Sequence, residues 1–442
     1  MKSLIACCLA FICSGALAQD VLIRGATIHT ASERGVLENT DVLLRNGRIA
    51  AVGVGLEAPS GASIVAAKGR ALTPGLFGGL SAIGVNEISL ESTTVDAYLQ
   101  LNAPAFAMQW RPEFDVAVAY NPNSTLVPVA RMEGLTWTVL EPGSMPGGSF
   151  LAGQGAAVTL GGAYDAALQG SRSLFINLGG EVSALSGGSR AAQWMLLEQA
   201  IHEARSRTAP EDGALLRPLG RQALARYLDG GRVVFHVSRA ADIRRTLEFA
   251  RTHGMRPVIA GGEEAWAVAR ELAERDVPVL LDALANLPSS FDTIGSRLDN
   301  AALLHAAGVR IAFTQFGESH NARKIRQLAG NAVAHGLPHD AALRALTAEP
   351  ARIFGLGERR GRIEPGLTAD LVLWSGDPLE VTAFAEQVWI EGRAVPMRSR
   401  QTELRDRYLQ RLRQTQQSGA HAPAESGARG DATPTFHRES TP

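Results

Sequence analysis

Cysteine and lysine are scarce in this chain of 442 residues. All three cysteines lie in the first apolar segment, at Cys7, Cys8 and Cys13. The chain beyond them therefore has no thiol for a disulfide, a nucleophile or a metal ligand. The lysines are Lys2, Lys68 and Lys324, so no lysine stands between positions 68 and 324.

A strong net charge and long apolar runs are also lacking. Lys and Arg total 43 and Asp and Glu total 44, which gives a formal net charge of -1. This balance offers no electrostatic argument for nucleic acid or an anionic membrane. Beyond the N-terminus, no segment has the length and apolar character of a membrane span. Phosphate-loop and Gly-x-Ser-x-Gly motifs are absent as well.

The N-terminus has the pattern of an export signal. Lys2 supplies a positive charge, the residues from Leu4 to Ile12 form a short apolar core, and residues 16–18 read Ala-Leu-Ala. An A-x-A site of this kind predicts cleavage before Gln19. We therefore expect residues 1–18 to be a signal peptide and the mature protein to be periplasmic or secreted.

Both ends of the mature chain have strand-like patterns. Apolar and polar residues alternate in VLIRGATIHT and DVLLRNGRIAAVG near the N-terminus, and ADLVLWSGDP and QVWIEGRAV follow within 362–397. Period-two alternation with turn residues between is typical of half-buried strands. We predict a small composite β-sandwich domain built from residues 19–70 and 362–397.

The middle of the chain, 71–361, alternates strands with helices. The strands RVVFHV (232–237), PVIAG (257–261), PVLLDA (278–283) and VRIAFTQF (309–316) are each followed by a helical pattern. Earlier strands are predicted at 71–77, 135–140, 156–160 and 173–178. Repeated βα units predict a parallel sheet, and eight of them would close a (β/α)8 TIM-type barrel. A doubly wound open sheet is the competing arrangement.

The C-terminal part divides into two segments. Residues 398–413 are predicted to be a helix. The segment 414–442 is rich in Gln, Ser, Gly, Ala and Pro and has few large apolar residues. That composition predicts a disordered tail.

Several strings in order along the chain resemble the amidohydrolase superfamily, in particular its exported, imidazolonepropionase-like members. They are TPGL at 73–76, the GxTxxxxxPG pattern at 134–143, GQG at 153–155, the ALxAxTxxPA pattern within 341–351, GRIEPGLTADLV at 361–372 and GDPL at 376–379. The resemblance covers the chain from its mature N-terminus to about residue 397. It implies the barrel fold and hydrolysis of non-peptide C–N bonds such as those of cyclic amides and amino-acid amides.

The resemblance also implies a ligand set for one or two divalent metals at the C-terminal mouth of the barrel. Active members use a His-x-His on strand one, histidines at the ends of strands five and six, an Asp at the end of strand eight and often a lysine on strand four. Such a metal acidifies a bound water and polarises the substrate carbonyl.

Most of these positions carry residues that cannot bind a metal. Leu80 and Ala82 stand at the His-x-His positions, and no histidine occurs between His29 and His202. Glycine (Gly261 or Gly262) stands at the strand-six position, and Phe316 or Gln315 stands at the strand-eight Asp. Because no lysine lies between 68 and 324, strand four cannot supply one.

His236, at the end of RVVFH, is the one retained ligand position. A catalytic zinc site normally needs three protein ligands. Glu263, Asp282 and His320 also follow strands, so a relocated mononuclear site made of these three with His236 is the alternative. Glu263 and Glu264 otherwise begin the following helix, where acidic residues suit the dipole.

The resemblance and the lost ligands together predict a degenerate, non-catalytic amidohydrolase-like barrel without a cofactor. It would bind a small molecule, form a homo-oligomer or pair with an active homologous subunit. The alternative is an active C–N hydrolase that uses one zinc, manganese or iron ion in a reduced or relocated site. No nucleic-acid partner and no membrane span are expected.

Overall fold

The computed structural model describes residues 19–99, 110–144, 149–208, 213–285 and 287–419. The predicted signal peptide, 1–18, lies outside these described residues. The strands, in chain order, are β1 (Val21–His29), β2 (Val36–Arg45), β3 (Arg48–Gly53), β4 (Ser63–Ala66), β5 (Ala71–Pro74), β6 (Leu76–Ser81), β7 (Leu135–Leu140), β8 (Leu151–Gly155), β9 (Ala157–Thr159), β10 (Ser173–Asn177), β11 (Arg232–Val237), β12 (Arg256–Gly261), β13 (Val279–Leu281), β14 (Ile311–Phe313), β15 (Leu371–Trp374), β16 (Ala385–Ile390) and β17 (Arg393–Ala394).

Ten α-helices accompany these strands in the described residues. They are α1 (Leu126–Met132), α2 (Arg190–Arg205), α3 (Pro218–Ala225), α4 (Ala240–His253), α5 (Ala269–Glu274), α6 (Asn300–Ala306), α7 (Ile325–Ala334), α8 (His339–Leu346), α9 (Ala348–Ile353) and α10 (Arg400–Gly419). Helix α4 ends where predicted, at Gly254 with φ +71°, a left-handed conformation that glycine adopts without strain.

Both ends of the chain contribute to one eight-stranded sheet. Its order is β17-β16-β15-β5-β1-β2-β3, and β4 pairs with β1. The two ends meet where β15 runs antiparallel to β5, with Val372 opposite Thr73. The prediction that the barrel begins at residue 71 is wrong, because β5 pairs within this sheet and the barrel begins at β6. The strands form a single hydrogen-bonded sheet, and the predicted two-sheet sandwich is not confirmed.

The barrel is built from two further sheets. One has the order β14-β13-β12-β11-β10-β8 and the other has the order β6-β7-β9. Pairing is parallel from β10 to β14 and between β6 and β7. The third position differs from the predicted βα pattern, since β8 runs antiparallel to β10 and β9 runs antiparallel to β7.

The two barrel sheets are joined at both edges. At one edge β8 and β9 are consecutive in the chain, and the Leu140 N–H donates to the Ala156 carbonyl at 2.9 Å. At the other edge, side chains from the end of β14 and the following loop close the ring. The Leu80 N–H donates to Thr314 Oγ1 at 2.9 Å, and the Ala82 N–H donates to Ser319 Oγ at 2.9 Å. The result is a TIM-type barrel with eight positions, which excludes the open sheet.

The barrel interior is filled by one buried cluster. Its members alternate along the strands and include Phe77, Trp137, Val139, Phe175, Val234, Val258, Leu280 and Ala312. Side chains of a strand point alternately to its two faces. The residue two positions after each of these core residues therefore also faces inward. This register decides which side chains reach the C-terminal mouth.

The C-terminal helix α10 belongs to a separate unit, residues 398–442. It extends to Gly419, so the prediction of disorder from residue 414 is wrong for 414–419. Residues 414–418 include three glutamines, which favour helix, and contain no glycine or proline. Residues 420–442 of the predicted tail lie outside the described residues. None of the described helices has the length and hydropathy needed to span a membrane.

The side-chain closure between β6 and β14 leads to a stability prediction. Thr314 is fully buried, and replacing it with valine would leave the Leu80 N–H without its acceptor. We expect Thr314→Val to lower the free energy of unfolding by about 1–3 kcal/mol. Urea denaturation measures this change. The exposed Thr382→Val serves as the control, and an equal effect of both variants would contradict a role of Thr314 in closure.

Candidate functional site

The mouth of the barrel is lined by the residues that follow the inward-facing core positions. Continuing the alternation by two residues gives Glu141 after Val139, Asn177 after Phe175, His236 after Val234, Asp282 after Leu280 and Thr314 after Ala312. All five lie at the carboxyl ends of their strands, where barrels of this type place their functional groups. On five strands, the inward-facing position just above the apolar core therefore carries a polar residue.

Glu141 and His236 form an ion pair in this layer. His236 Nε2 lies 2.6 Å from Glu141 Oε1, and each side chain is 20% exposed. The contact is an ion pair when His236 is protonated. The two residues end β7 and β11, which are three positions apart in the ring. The pair therefore crosses the mouth.

The pair sets the protonation of His236. Burial alone lowers the pKa of a histidine, but the charge and contact of Glu141, with a further contribution from Glu263, hold the pKa of His236 above its usual value. A histidine must be neutral and have a free ring nitrogen to bind a metal. The Glu141 contact opposes the first requirement by favouring the protonated ring, and it engages one of the two ring nitrogens, Nε2.

The strand-one positions are occupied by apolar residues that belong to the barrel structure. Leu80 is 3% exposed and packs in the interior cluster. Ala82 is tied to the loop after β14 by its N–H bond to Ser319. Neither side chain has a donor atom for a metal, so this edge of the mouth offers no ligand.

The strand-six position is filled by a neighbouring carboxylate. Gly261 has φ +89°, and a Cβ added there would lie 3.3 Å from Glu263 Oε2. The Glu263 carboxylate therefore lies in tight contact with the point at which a side chain at position 261 would begin. Gly262, also with a positive φ, would place a Cβ 3.1 Å from Val279.

Glu263 itself is held beside His236. Burial raises the pKa of Glu263, as does the Glu181 charge, while the bond with Ser238 and the nearby His236 oppose the rise. Its Oε2 atom is buried without a hydrogen-bond partner. Glu264, by contrast, is structural, since its carboxylate accepts from the Ala240 N–H at 3.0 Å and the Gly295 N–H at 3.2 Å.

The strand-eight position also lacks a carboxylate. The Phe316 ring stands edge-on to His236 with 5.5 Å between ring centroids. Gln315 donates from Nε2 to the Phe316 carbonyl, and its Oε1 is buried without a partner. An aromatic ring therefore packs against the single retained histidine.

The remaining candidates do not join His236 in a metal site. Asp282 faces the mouth, but its Oδ1 accepts from the Leu284 N–H at 2.9 Å, and burial raises its pKa against the bonds from the Leu284 and Ala285 N–H groups. His320 is exposed in a 3₁₀ turn, Ser319–Lys324. Among the described residues, no group of three or more His, Cys, Asp or Glu side chains is arranged to hold a metal. The structure therefore does not bring His236, Glu263, Asp282 and His320, the residues of the alternative site, together as a ligand set.

Sequence reasoning missed Glu141 and Asn177. Asn177 donates from Nδ2 to Ser144 Oγ at 2.7 Å and pairs in register with His236 across β10 and β11. The signal for Glu141 was present in the sequence, because it continues the alternation of Trp137 and Val139 by one step. The contact with His236 was not readable, since it joins residues 95 positions apart (236 minus 141).

Comparisons with known proteins agree with this fold. A family model described as "Amidohydrolase family" matches residues 220–396. The curated Amidohydrolase tasK of Hapsidospora irregularis is 38% identical over 92 residues, which are 21% of this chain and only 9% of that protein. The crystal structure of an amidohydrolase from Thermotoga maritima MSB8 matches with 25% identity and a TM-score of 0.72, covering 86% of this chain and 100% of that chain.

A more distant solved structure shares the fold alone. A prolidase complexed with N-methylphosphonate-L-proline matches with 18% identity and a TM-score of 0.51, covering 85% of this chain and 99% of that chain. The fold and the matches together define a hydrolase-like TIM-type barrel. The family match over residues 220–396 and the Thermotoga maritima structure support membership of the amidohydrolase superfamily.

The ion pair predicts a measurable shift in titration. Glu141→Gln removes the carboxylate that opposes burial, so the pKa of His236 should fall below its wild-type value. NMR titration of the histidine ring protons measures the shift, and His236→Gln assigns the signal. The exposed Glu33→Gln, in the loop after β1, is the control and should leave this pKa in place. An unchanged pKa in Glu141→Gln would contradict the pairing.

The same shift fixes the sign of a pH dependence. Since the folded pKa of His236 is raised, the pair's stabilisation is fully present below the unfolded pKa of about 6.5. It is lost as the pH rises through the folded value. The difference in unfolding free energy between wild type and Glu141→Gln should therefore shrink from pH 6 to pH 9 in denaturant titrations.

Proposed function

We propose that this protein is an exported, degenerate member of the amidohydrolase superfamily that does not catalyse metal-dependent hydrolysis. The observation that carries the proposal is the Glu141–His236 ion pair of 2.6 Å across the mouth. It engages the only retained ligand position with a carboxylate of the same chain. The protein derives from hydrolases of non-peptide C–N bonds and keeps their scaffold.

The other ligand positions support the same conclusion. Leu80 belongs to the barrel core, Glu263 fills the space beside Gly261, and Phe316 packs against His236. A divalent metal needs several donors converging at about 2.0–2.2 Å for nitrogen and oxygen ligands of zinc. The donor set described here does not fit such an ion, so no step of a reaction is derived from one.

A binding role follows from what the mouth keeps. Glu263 Oε2 and Gln315 Oε1 are buried acceptors without partners, and buried polar atoms without partners carry a free-energy cost. A small molecule with N–H or O–H groups would satisfy them. We propose that the protein binds such a ligand, alone, as a homo-oligomer or as the partner subunit of an active homologue, in the periplasm or outside the cell.

A second candidate function is C–N hydrolysis by the reduced set of groups. Glu263, whose pKa is raised by burial beside His236, is the observation that favours it. A carboxylic acid with a raised pKa is suited to general acid catalysis. The candidate requires that His236 and Glu263 both be necessary for turnover.

The first proposal predicts insensitivity to chelators. Dialysis against EDTA, or addition of Zn²⁺ or Mn²⁺, should leave the midpoint of thermal unfolding unchanged, because no ligand set gains from the metal. A true site would gain about 2.7 kcal/mol at a metal concentration one hundred times its Kd. His236→Ala is the matched control. A stabilisation by metal that disappears in His236→Ala would refute the proposal.

Activity assays separate the two candidates. Wild type and His236→Ala are compared on cyclic amides, amino-acid amides and dipeptides, each with and without added metal. We expect no turnover by either protein, because the described residues offer no ligand set for a metal that would activate water. Turnover by wild type that is lost in both His236→Ala and Glu263→Gln would establish the second candidate instead.

A further inference from the structure

The C-terminal helix α10 has a charge that the rest of the chain lacks. Residues 398–413 contain six arginines and two acidic residues, which gives a local charge of +4 (six minus two). The whole chain has a net charge of -1, so the remainder is at -5. The arginines are Arg398, Arg400, Arg405, Arg407, Arg411 and Arg413, and the acids are Glu403 and Asp406.

The helix also exposes large apolar side chains. Tyr408 is 57% exposed, Leu412 is 54% exposed and Leu409 is 42% exposed. None of the buried core clusters includes a residue of α10. Most of the stability of a helix in a protein comes from the packing of its apolar face against another surface.

The positions of these residues around the helix are ordered. At about 100° per residue, Leu404, Tyr408 and Leu412 fall within an arc of about 80°. The acidic residues Glu403 and Asp406 fall on the opposite side of the helix. The helix therefore has one apolar stripe and one acidic pole.

Four of the arginines flank the apolar stripe, while Arg413 falls beside Asp406 on the opposite side. Arg407 and Arg411 lie over the Tyr408 ring, with their guanidinium carbons 5.5 Å and 5.8 Å from its centroid. Arg400 falls on the same side as these two, and Arg405 falls on the other side of the stripe. Long basic side chains beside an apolar stripe can keep their charge at a polar boundary while their stems pack on apolar surface.

We propose that α10 docks on an anionic phospholipid surface. Helices of this kind lie in the plane of the interface, with the apolar stripe among the acyl chains and the basic flanks at the headgroups. Charge complementarity selects this occupant over the same helix of a second copy, because two α10 helices, each with five arginines and two acids, repel each other. The acidic pole faces away from the lipid. The balanced net charge of the whole chain gave no electrostatic argument for an anionic membrane, but the local charge of this segment gives one.

The test is vesicle co-sedimentation with the chain from Gln19 to Pro442. Residues 1–18 are omitted because their apolar segment would itself bind lipid. Vesicles of phosphatidylglycerol and phosphatidylcholine are compared with phosphatidylcholine alone. We expect binding to the anionic vesicles, little binding to the neutral ones, and weakening by salt.

Two double variants separate the stripe from the flanks. Tyr408→Gln with Leu412→Gln removes apolar contact, and Arg407→Gln with Arg411→Gln removes two flanking charges. Each should lower binding by roughly tenfold or more, since each basic residue near an anionic surface contributes about fivefold. Glutamine retains helix propensity, and thermal unfolding of the barrel should be unchanged.

The controls remove charges elsewhere. Arg34→Gln with Arg270→Gln makes the same change in net charge at exposed sites outside the helix, and Glu403→Gln alters the acidic pole. Neither should weaken binding. Equal loss with Arg34→Gln and Arg270→Gln, full binding by the stripe variant, or binding only to DNA or polyglutamate and not to vesicles would overturn the proposal.

Discussion

The ion pair between Glu141 and His236 determines what the mouth of this barrel can do. It joins the ends of β7 and β11 across the opening, at a distance of 2.6 Å. The strands themselves cannot make this connection, because they are three positions apart in the ring. The pair places one negative and one positive group where a metal centre would need converging donors. The contact at Nε2 and the raised pKa both oppose the binding of a cation by His236.

The surroundings of the pair are consistent with this arrangement. Phe316 stands edge-on to the imidazole, and Glu263 occupies the space beside Gly261. Partly buried ion pairs are costly when one partner is removed, because the other charge is left without compensation. These residues contact one another, so the changes in unfolding free energy caused by substitutions at two of them should not be additive.

Much of the fold could be predicted from the sequence. The strand RVVFHV was predicted at the observed bounds, and the helix after it ends at Gly254 as predicted. The third barrel position could not be predicted, because the pattern of 156–160 does not encode the direction in which β9 runs. The assignment of residues 71–74 to the barrel failed for a related reason. A continuous apolar pattern does not show that the chain passes from one sheet to another at Gly75.

The site was only partly predictable. Substitution of the metal ligands was readable from residue identity at Leu80 and Ala82. The contact between Glu141 and His236 could not be read from the sequence, because it depends on how the barrel closes. The structure likewise does not bring Asp282 and His320 to His236, because a position after a strand does not fix what a side chain contacts. Asp282 faces the mouth but accepts a hydrogen bond from the Leu284 N–H of its own loop, and His320 is exposed.

The central claim is that the ion pair stands in place of a metal. Elemental analysis of the protein, purified without chelators from cells grown with added zinc and manganese, tests it most directly. The account predicts far less than one metal ion per chain, and no difference between wild type and Glu141→Gln. About one zinc, manganese or iron ion per chain in wild type would contradict it.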